Sequence, residues 1–314
     1  MPVRQQKTKA PRNRTIEISG SEKAKLRRHL VRSKGLREPK EAVNKIVCGD
    51  STETLGKLAP GSIDLVISDP PYNITKAFGK NSFKRTSLEK YESLLESWLA
   101  PLLPLLKSTA SVYLCGDWRS SAAIQRVGIR HLNLRNRITW EREKGRGSKT
   151  NWKNASEDIW FFTVSDKYTF NEDAVRLKKR VIAPYTENGN PKDWRPEKHG
   201  NFRLTSPSNL WTDISVPFWS MPENTIHPTQ KPEKLVAKLI LASSNPGDLV
   251  LDPFAGSGTT PVVASKLDRG FIGIESDEEY CLIAQKRLGM VSQDDSIQGF
   301  TDGVFWERNS RVPR

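Results

Sequence analysis

The sequence predicts an α/β protein organised around an open parallel sheet. Two observations indicate this fold. Short β-branched apolar runs recur along the chain, and the run at residues 63–68 has the length and composition of a strand buried on both faces. Two such runs lead directly into chemically distinctive loops, at residues 69–72 and 252–258. Because open parallel sheets bind ligands at the carboxyl ends of their strands, both loops are expected at one functional edge.

Strands and helices alternate in the predicted order of elements. Asp50 or Ser51 is expected to cap a helix at residues 52–58, and Pro232 starts a helix at residues 233–243. Residues 73–86 lack periodicity and are expected to form a mobile loop over the site. The predicted strands are residues 46–48, 63–68, 110–114, 137–140, 158–164, 249–251 and 270–274, and the predicted helices are residues 21–31, 52–58, 87–107, 233–243 and 259–267.

The loop at residues 69–72, Asp-Pro-Pro-Tyr, has the composition of a site for an amino group. Its prolines fix φ and lack backbone N–H donors, so the loop is stiff and rich in acceptors. The Asp69 carboxylate and the Pro70 carbonyl can accept the two hydrogens of an amine, while Tyr72 offers a flat face to a base. Acceptors in this arrangement stabilise the positive charge that develops when an aryl amine is methylated. An ordinary strand-ending turn is the alternative interpretation.

The loop at residues 252–258 has the pattern of a nucleotide-type cradle. Gly256 and Gly258 permit positive φ and close backbone approach, and the helix start that follows offers free N–H groups to an anion. Glu275 ends the next predicted strand, where an acid commonly accepts hydrogen bonds from ribose hydroxyls. The pattern is neither a P-loop nor the full dinucleotide fingerprint, because it lacks the lysine of the first and the third glycine of the second. A plain tight turn beside an exposed Glu is the alternative.

Three motifs occur in order: Asp-Pro-Pro-Tyr at 69–72, His-Pro-Thr-Gln-Lys-Pro at 227–232 and Asp-Pro-Phe-Ala-Gly-Ser-Gly at 252–258. With them, the chain from about Asn44 to Leu288 resembles the beta class of DNA amino-methyltransferases, in particular the adenine-specific enzymes of type II restriction-modification systems. The resemblance implies a Rossmann-like methyltransferase fold with a seven-stranded, mostly parallel sheet and helices on both faces. It also implies a circularly permuted order, in which the catalytic half precedes the cofactor half.

The same resemblance implies a cofactor, a mechanism and site residues. S-adenosyl-L-methionine is expected to donate the methyl group directly to a flipped base, without a covalent intermediate. Lys231 is expected to pair with the carboxylate of the cofactor's methionine part. The implied catalytic residues are Asp69, Pro70, Pro71 and Tyr72. The implied cofactor-binding residues are Asp50, Asp69, Thr229, Lys231, Asp252, Phe254, Ala255, Gly256, Ser257, Gly258, Thr259 and Glu275, and no metal site is expected.

The expected reaction is methylation of the exocyclic amine of adenine in a short double-stranded DNA sequence, which protects the DNA from a cognate restriction endonuclease. Adenine is favoured because family members whose tetrapeptide begins with Asp usually modify adenine, whereas Ser is typical of cytosine enzymes. Cytosine-N4 methylation and an orphan regulatory adenine methylase are the alternatives. An RNA or protein-glutamine methylase and a DNA-binding protein with an inactive methylase fold are less favoured.

Positive charge is concentrated in two segments of a chain whose net charge is +14. Residues 1–40 hold 13 Lys and Arg against three acids, and residues 119–203 hold 19 against ten. A basic insertion beside a near-neutral body suits a DNA-binding surface, because each phosphate that is neutralised releases counterions. A solvated charged face is the alternative. The candidate DNA contacts are Arg146, Lys149, Arg176, Lys178, Lys179, Arg180, Lys192, Arg195 and Arg203.

The remaining expectations concern organisation and location. Three widely spaced cysteines, none of which follows a proline, indicate buried apolar residues, not a metal site or a cytosine carbon-5 methylase nucleophile. The first residues lack an apolar secretory segment and no apolar run spans a membrane, so a cytoplasmic protein is expected, as a monomer or homodimer. The predicted divisions are a flexible basic arm (1–42), a catalytic half (43–167), a target-recognition insertion of irregular structure (168–223), a cofactor half (224–290) and a tail (291–314).

Overall fold

A computed structural model describes residues 10–78, 81–142, 149–183, 185–198 and 200–308. The helices are α1 (Gly20–Arg27), α2 (Ser51–Leu55), α3 (Leu88–Leu102), α4 (Ser121–Gly128), α5 (Glu233–Ser243), α6 (Thr259–Lys266) and α7 (Glu278–Met290). The strands are β1 (Val31–Arg32), β2 (Lys45–Cys48), β3 (Ile63–Ser68), β4 (Lys76–Phe78), β5 (Asn81–Phe83), β6 (Leu106–Gly116), β7 (Asn133–Glu141), β8 (Ser156–Thr163), β9 (Leu177–Arg180), β10 (Thr186–Glu187), β11 (Asn190–Pro191), β12 (Arg195–Glu197), β13 (Gly200–Thr205), β14 (Leu210–Trp211), β15 (Leu249–Asp252), β16 (Gly270–Glu275), β17 (Phe300–Thr301) and β18 (Val304–Trp306).

The main sheet confirms the predicted mostly parallel architecture. Its order is β1-β2-β16-β15-β3-β6-β8-β7-β14, so seven longer strands are extended at each edge by a strand of only two residues. Strand β8 runs antiparallel to both of its neighbours, β6 and β7, while the other pairings are parallel. As a result, the start of β8 lies at the same edge as the carboxyl ends of the parallel strands.

Strand order reverses between β15 and β3, which pair directly through Val250 with Leu65 and Leu251 with Val66. From β15 the chain continues to β16 on one side, and from β3 it continues to β6 on the other. The chain therefore leaves β3 and β15 in opposite directions, and a crevice remains between their two loops at the carboxyl edge. Sheets of this kind bind ligands in such a crevice.

Helices cover both faces of the sheet, because successive strand residues alternate between two apolar cores. Val66 faces the first core with the α3 residues Leu95, Trp98 and Leu99. Leu65 and Ile67 face the second core, which contains residues of α5 and α6. The aromatic stripe of α3 is thus part of the core, as predicted, and all three cysteines are also buried.

Three helices end three or more residues earlier than the sequence predicts. Helix α1 ends at Arg27, and Val31 instead begins β1, which pairs parallel with β2. Helix α2 ends at Leu55 and not at residue 58. Helix α3 ends at Leu102, and residues 103–105 form a 3-10 turn before β6 begins at Leu106. Pro104 explains the end of α3, since it lacks an N–H group and cannot continue the hydrogen-bond ladder of a helix.

The prediction of irregular structure for the insertion is wrong. Strands β9, β12 and β13 form a five-stranded sheet with β17 and β18, in the order β12-β13-β9-β18-β17. The segment expected to be a tail supplies the last two strands, and Phe305 pairs in register with Leu177 of β9. Phe305 and Trp306 are buried, so this segment completes a core that the insertion alone would leave open. The loop at 73–86 likewise contains a hairpin, β4 paired with β5.

The described part of the N-terminal arm lies against the cofactor half of the chain. Helix α1 contacts α7 through the ion pairs of Lys23 with Glu279, Arg27 with Glu278 and Lys286 with Glu22. Exposed ion pairs of this kind contribute little each, so this docking is maintained by several weak contacts. Among the described residues, no helix is both long and apolar enough to span a membrane.

Candidate active site

The Asp69–Tyr72 loop lies at the switch point, directly after β3. Pro70 is buried and the Asp69 side chain is 22% exposed. Asp69 Oδ1 is buried and has no hydrogen-bond partner among the described residues. The loop is fixed at its far end by Asn73, whose backbone N–H donates to Ser120 Oγ at 3.0 Å. Asp69 therefore presents a carboxylate oxygen with unused acceptor capacity in a rigid setting.

Lys231 binds Asp69, which differs from the predicted pairing with a cofactor carboxylate. Its Nζ lies 2.6 Å from Asp69 Oδ2 and donates to the Tyr72 hydroxyl at 3.1 Å. Burial alone would lower the pKa of Lys231. The negative charges of Asp69 and Glu157 outweigh burial and raise this pKa well above its usual value. Burial, followed by the charges of Asp69 and Glu157, also raises the pKa of Tyr72 well above its usual value. In this structure Lys231 is therefore a charged member of the catalytic group.

Glu157 is an active-site residue that sequence reasoning missed. It is the second residue of β8, and its Oε2 lies 3.2 Å from Lys231 Nζ and accepts from the Tyr72 hydroxyl at 3.3 Å. Its Oε1 accepts from Arg142, at the end of β7. One signal was available, because Glu157 and Asp158 directly precede the apolar run at residues 159–162 of β8. It points to the site only if β8 is known to be antiparallel.

The glycine turn after β15 has the backbone that its sequence predicts. Gly256 has φ 53° and Gly258 has φ 80°, values that other residues rarely adopt. A Cβ on Gly256 would lie 2.9 Å from His227 Nε2. Gly258 instead packs against Ala284 of α7, where a Cβ would approach Ala284 Cβ to 2.5 Å. Gly256 thus shapes the cavity, whereas Gly258 allows α6 and α7 to pack closely.

Glu275 binds the turn directly. Its Oε2 accepts from Gly256 N at 2.9 Å and its Oε1 accepts from Asp277 N at 2.7 Å. Burial raises the pKa of Glu275 above its usual value. Each carboxylate oxygen has a second lone pair, so the side chain can bind the turn and still accept a hydroxyl from a ligand.

Two further acids, Asp252 and Asp50, border the cavity between the Asp69–Tyr72 loop and the glycine turn. Burial raises the pKa of Asp252 to about 7, against the hydrogen bonds that it accepts from Thr260 and Phe254 N. Asp50 accepts from Glu53 N at 3.0 Å and caps α2, and it also lines the cavity. The structure confirms that Asp50 caps α2, and its cofactor role stays a prediction, since one carboxylate can cap a helix and face a ligand.

A single cavity of about 290 Å³ joins the catalytic loop to the glycine turn. Leu95, Trp98 and Phe254 contribute apolar walls to this cavity. The predicted site residues that line it are Asp50, Asp69, Pro70, Pro71, Tyr72, Thr229, Lys231, Asp252, Phe254, Ala255, Gly256, Ser257, Thr259 and Glu275. Acids, apolar walls and an Asp69 oxygen left unpaired among the described residues, all in one cavity, fit S-adenosylmethionine.

The candidate DNA contacts fall into two groups. Arg176, Lys178, Lys192 and Arg203 form ion pairs with acids of the insertion itself. Lys149, Arg180 and Arg195 are exposed, Lys179 is partly exposed, and none of these four has an acid within ion-pair distance among the described residues. Arg146 lies outside the described residues.

Comparison with known proteins agrees with this geometry. The family described as "DNA methylase" matches residues 63–286, which contain the catalytic loop and the glycine turn. The chain belongs to this DNA methylase family. The methylase is 34% identical over 272 residues to the type II methyltransferase M.HpaI of Haemophilus parainfluenzae, covering 86% of this chain and 79% of that relative. It is 36% identical over 258 residues to the DNA adenine methyltransferase YhdJ of Escherichia coli, covering 79% and 83%.

Solved structures show the same fold. The complex of M1.HpyAVI with S-adenosylmethionine is 27% identical with a TM-score of 0.53, covering 78% of this chain and 98% of that one. The cytosine-N4-specific PvuII DNA methyltransferase is 22% identical with a TM-score of 0.58, covering 77% and 85%. S-adenosylmethionine is the cofactor of this family.

Proposed function

We propose that this methylase transfers a methyl group from S-adenosylmethionine to the N6 amine of adenine within a short double-stranded DNA sequence. The observation that carries the proposal is Asp69 Oδ1, a buried oxygen without a partner among the described residues, in the cavity shared with the glycine turn. A buried acceptor left unpaired costs about 1–3 kcal/mol, which a donated N–H of the target amine would offset. The relative named as an adenine methyltransferase supports the choice of base.

The catalytic loop acts on the amine by accepting its hydrogens. Asp69 Oδ1 and the Pro70 carbonyl oxygen each accept a hydrogen bond from one N–H of the amine. The nitrogen lone pair therefore localises and points at the methyl donor. Bound S-adenosylmethionine supplies an electrophilic methyl group on a positively charged sulfur. As the nitrogen becomes positive, Asp69 stabilises it, and the proton that the methylated amine loses leaves along the hydrogen bond to Asp69. Tyr72 stays a neutral phenol and stacks on the extruded base.

The residues at the cofactor end of the cavity bind and orient S-adenosylmethionine. Glu275 accepts the ribose hydroxyls, and the turn at Gly256 lets the backbone approach the cofactor closely. The division of labour that follows assigns catalysis to residues 43–167, target recognition to 168–223 and cofactor binding to 224–290. Base extrusion is required, because an amine inside the duplex cannot reach this cavity.

The biological setting is proposed from the relatives. M.HpaI and M.BglII are named type II methyltransferases, which supports a protective role beside a restriction endonuclease that shares the recognition sequence. Such an enzyme works where the host DNA is, in the cytoplasm. An orphan regulatory methylase is the alternative, and it would modify the same base without a partner nuclease.

Sequencing DNA from a host that expresses the protein, with a method that detects modified bases, tests the proposed function. We expect N6-methyladenine at one short sequence, and no such mark in a host that expresses Asp69→Ala. N4-methylcytosine at the modified positions would show that the target base is cytosine and not adenine. No modified base in DNA from the wild-type host, despite soluble protein, would contradict the function altogether.

The basic insertion is proposed to bind the DNA backbone and base edges beside the target. Arg180 and Arg195 both pair in register with Phe202, so they lie on one face of the small sheet. Their exposed guanidinium groups have no acid within ion-pair distance among the described residues, so they are available for phosphates or guanine edges. Lys149 and Lys179 are proposed as further contacts.

Replacing Arg180 and Arg195 with glutamine is expected to weaken DNA binding and its dependence on salt. Each lost phosphate contact should lower the slope of log affinity against log salt concentration by about 1. Fluorescence anisotropy with a labelled duplex at several salt concentrations measures this slope. Arg130→Gln is the control, because Arg130 pairs with Glu92 of α3 and lies outside the small sheet. Equal slopes for the double variant and the control would remove these residues from the DNA contact.

A further inference from the structure

Glu157 is the least exposed member of the charged group around the catalytic loop. Its side chain is 5% exposed, compared with 11% for Lys231 and 22% for Asp69. A carboxylate this deep is costly unless it is paired. Here Lys231 and Tyr72 contact one oxygen and Arg142 contacts the other. A buried acid with three partners at the edge of the catalytic loop has a role to be explained.

The charges of the group explain why a second acid is needed. Lys231 alone would neutralise Asp69, because its ammonium lies 2.6 Å from Oδ2. The target amine would then meet a neutral pair, although its nitrogen becomes positive during transfer. Glu157 lies 3.2 Å from the same ammonium, so one cation is shared by two carboxylates. Asp69, Lys231 and Glu157 together carry one negative charge, and Arg142 on the other oxygen of Glu157 brings the four residues to neutrality. Without Glu157 the remaining three would carry a net positive charge beside the amine.

Geometry adds a second contribution. The Tyr72 hydroxyl is held between Lys231 Nζ at 3.1 Å and Glu157 Oε2 at 3.3 Å. These two contacts fix the position of the hydroxyl and with it the direction of the long axis of the ring. The position of the ring on which the base would stack is thus set by residues of three distant segments: the loop after β3, the motif before α5 and the start of β8.

We infer that Glu157 is a positioning residue for methyl transfer: it offsets the charge of Lys231, so that Asp69 presents a negatively charged acceptor to the amine, and it orients Tyr72. This inference rests on the proposed function. Glu157 itself does not contact the amine, and it acts through Lys231 and Tyr72. Arg142 pairs with the other oxygen of Glu157, Oε1.

Glu157→Gln is expected to reduce kcat by about 10-fold to 100-fold, because a negative charge close to the developing positive charge is lost. The affinities for S-adenosylmethionine and for DNA should stay within about 3-fold, since Glu157 contacts neither ligand in this account. Single-turnover transfer of labelled methyl to a duplex measures the rate, and calorimetry measures cofactor binding. Glu141→Gln is the control, because it removes an exposed acid from the same edge of the sheet.

Glu157→Asp separates charge from shape. It keeps the carboxylate but is one methylene shorter, and we expect it to recover turnover well above that of Glu157→Gln. Both variants are compared only where thermal melting and cofactor binding show a folded protein. Equal losses in the Asp and Gln variants would show that fit, and not charge, matters at this position, and would overturn the inference.

A double-mutant cycle with Lys231→Met tests the pairing itself. Without the ammonium there is no charge for Glu157 to offset, so adding Glu157→Gln should cost at most about 3-fold. Multiplicative losses in the double variant would overturn the inference.

The outcome is separable from that of the proposed function. If the wild-type enzyme forms no N6-methyladenine, the proposed function fails, and the role inferred for Glu157 fails with it. If the wild-type enzyme methylates adenine and Glu157→Gln is equally fast, the inference alone fails.

Discussion

Replacing Asp69 with alanine is expected to reduce methyl transfer by about 100-fold to 1,000-fold, the usual effect of removing one preorganised electrostatic group from an active site. The loss should appear in kcat, because Asp69 Oδ1 interacts most strongly with the amine when that nitrogen is positive. Cofactor affinity should stay within about 3-fold, since the ribose end of the cavity is built from the glycine turn and Glu275. Single-turnover transfer and calorimetry measure the two quantities.

Asp69→Asn is the informative comparison for this prediction. It keeps the shape and one oxygen acceptor but removes the negative charge. Asp69→Asn should lose less methyl transfer than Asp69→Ala only if accepting the N–H matters apart from the charge. Turnover of Asp69→Ala close to that of the wild type would show that the roles are misassigned, even though the family membership holds.

Replacing Glu275 with alanine is expected to weaken S-adenosylmethionine binding by about 10-fold to 100-fold, consistent with about 1.5–3 kcal/mol for a hydrogen bond to a charged group. Two losses combine, because the ribose acceptor disappears and Gly256 N and Asp277 N lose their carboxylate. At saturating cofactor, kcat should remain within about 3-fold, since Glu275 lies at the other end of the cavity from Asp69. Calorimetric titration with S-adenosylmethionine measures the affinity.

Glu279→Gln is the control for Glu275. It also removes an acid near the start of α7, but Glu279 is exposed and pairs with Lys23 outside the cavity. The account is contradicted if Glu275→Ala binds the cofactor as tightly as this control, or if it lowers kcat as strongly as Asp69→Ala.

The strands and loops that carry the site follow from local sequence. β3, β15 and β16 lie within one residue of their predicted bounds, because buried parallel strands are short β-branched apolar runs. The Asp-Pro-Pro-Tyr loop and the glycine turn were predictable because their backbone is dictated by proline and glycine. Their meeting in one cavity depends on the direct pairing of β15 with β3.

Features that depend on distant pairings could not be predicted from local pattern. The insertion has weak periodicity, and its sheet is completed by β18, which supplies the buried Phe305 and Trp306 from more than 100 residues after β9. Glu157 reaches the site because β8 is antiparallel, a fact absent from its own sequence. The contacts of Lys231 with Asp69 and Glu157 join three distant segments, so they could not be predicted from the motif alone, and its pairing with the cofactor stays a prediction.

A structure of the enzyme bound to a duplex and S-adenosylhomocysteine tests the central claim most directly. The account predicts an adenine turned out of the duplex, with N6 about 3 Å from Asp69 Oδ1 and from the Pro70 carbonyl oxygen, stacked on Tyr72. Lys231 should remain on Asp69 Oδ2 and Glu157. An exocyclic nitrogen bound by other groups, with Asp69 Oδ1 still unpaired, would contradict it.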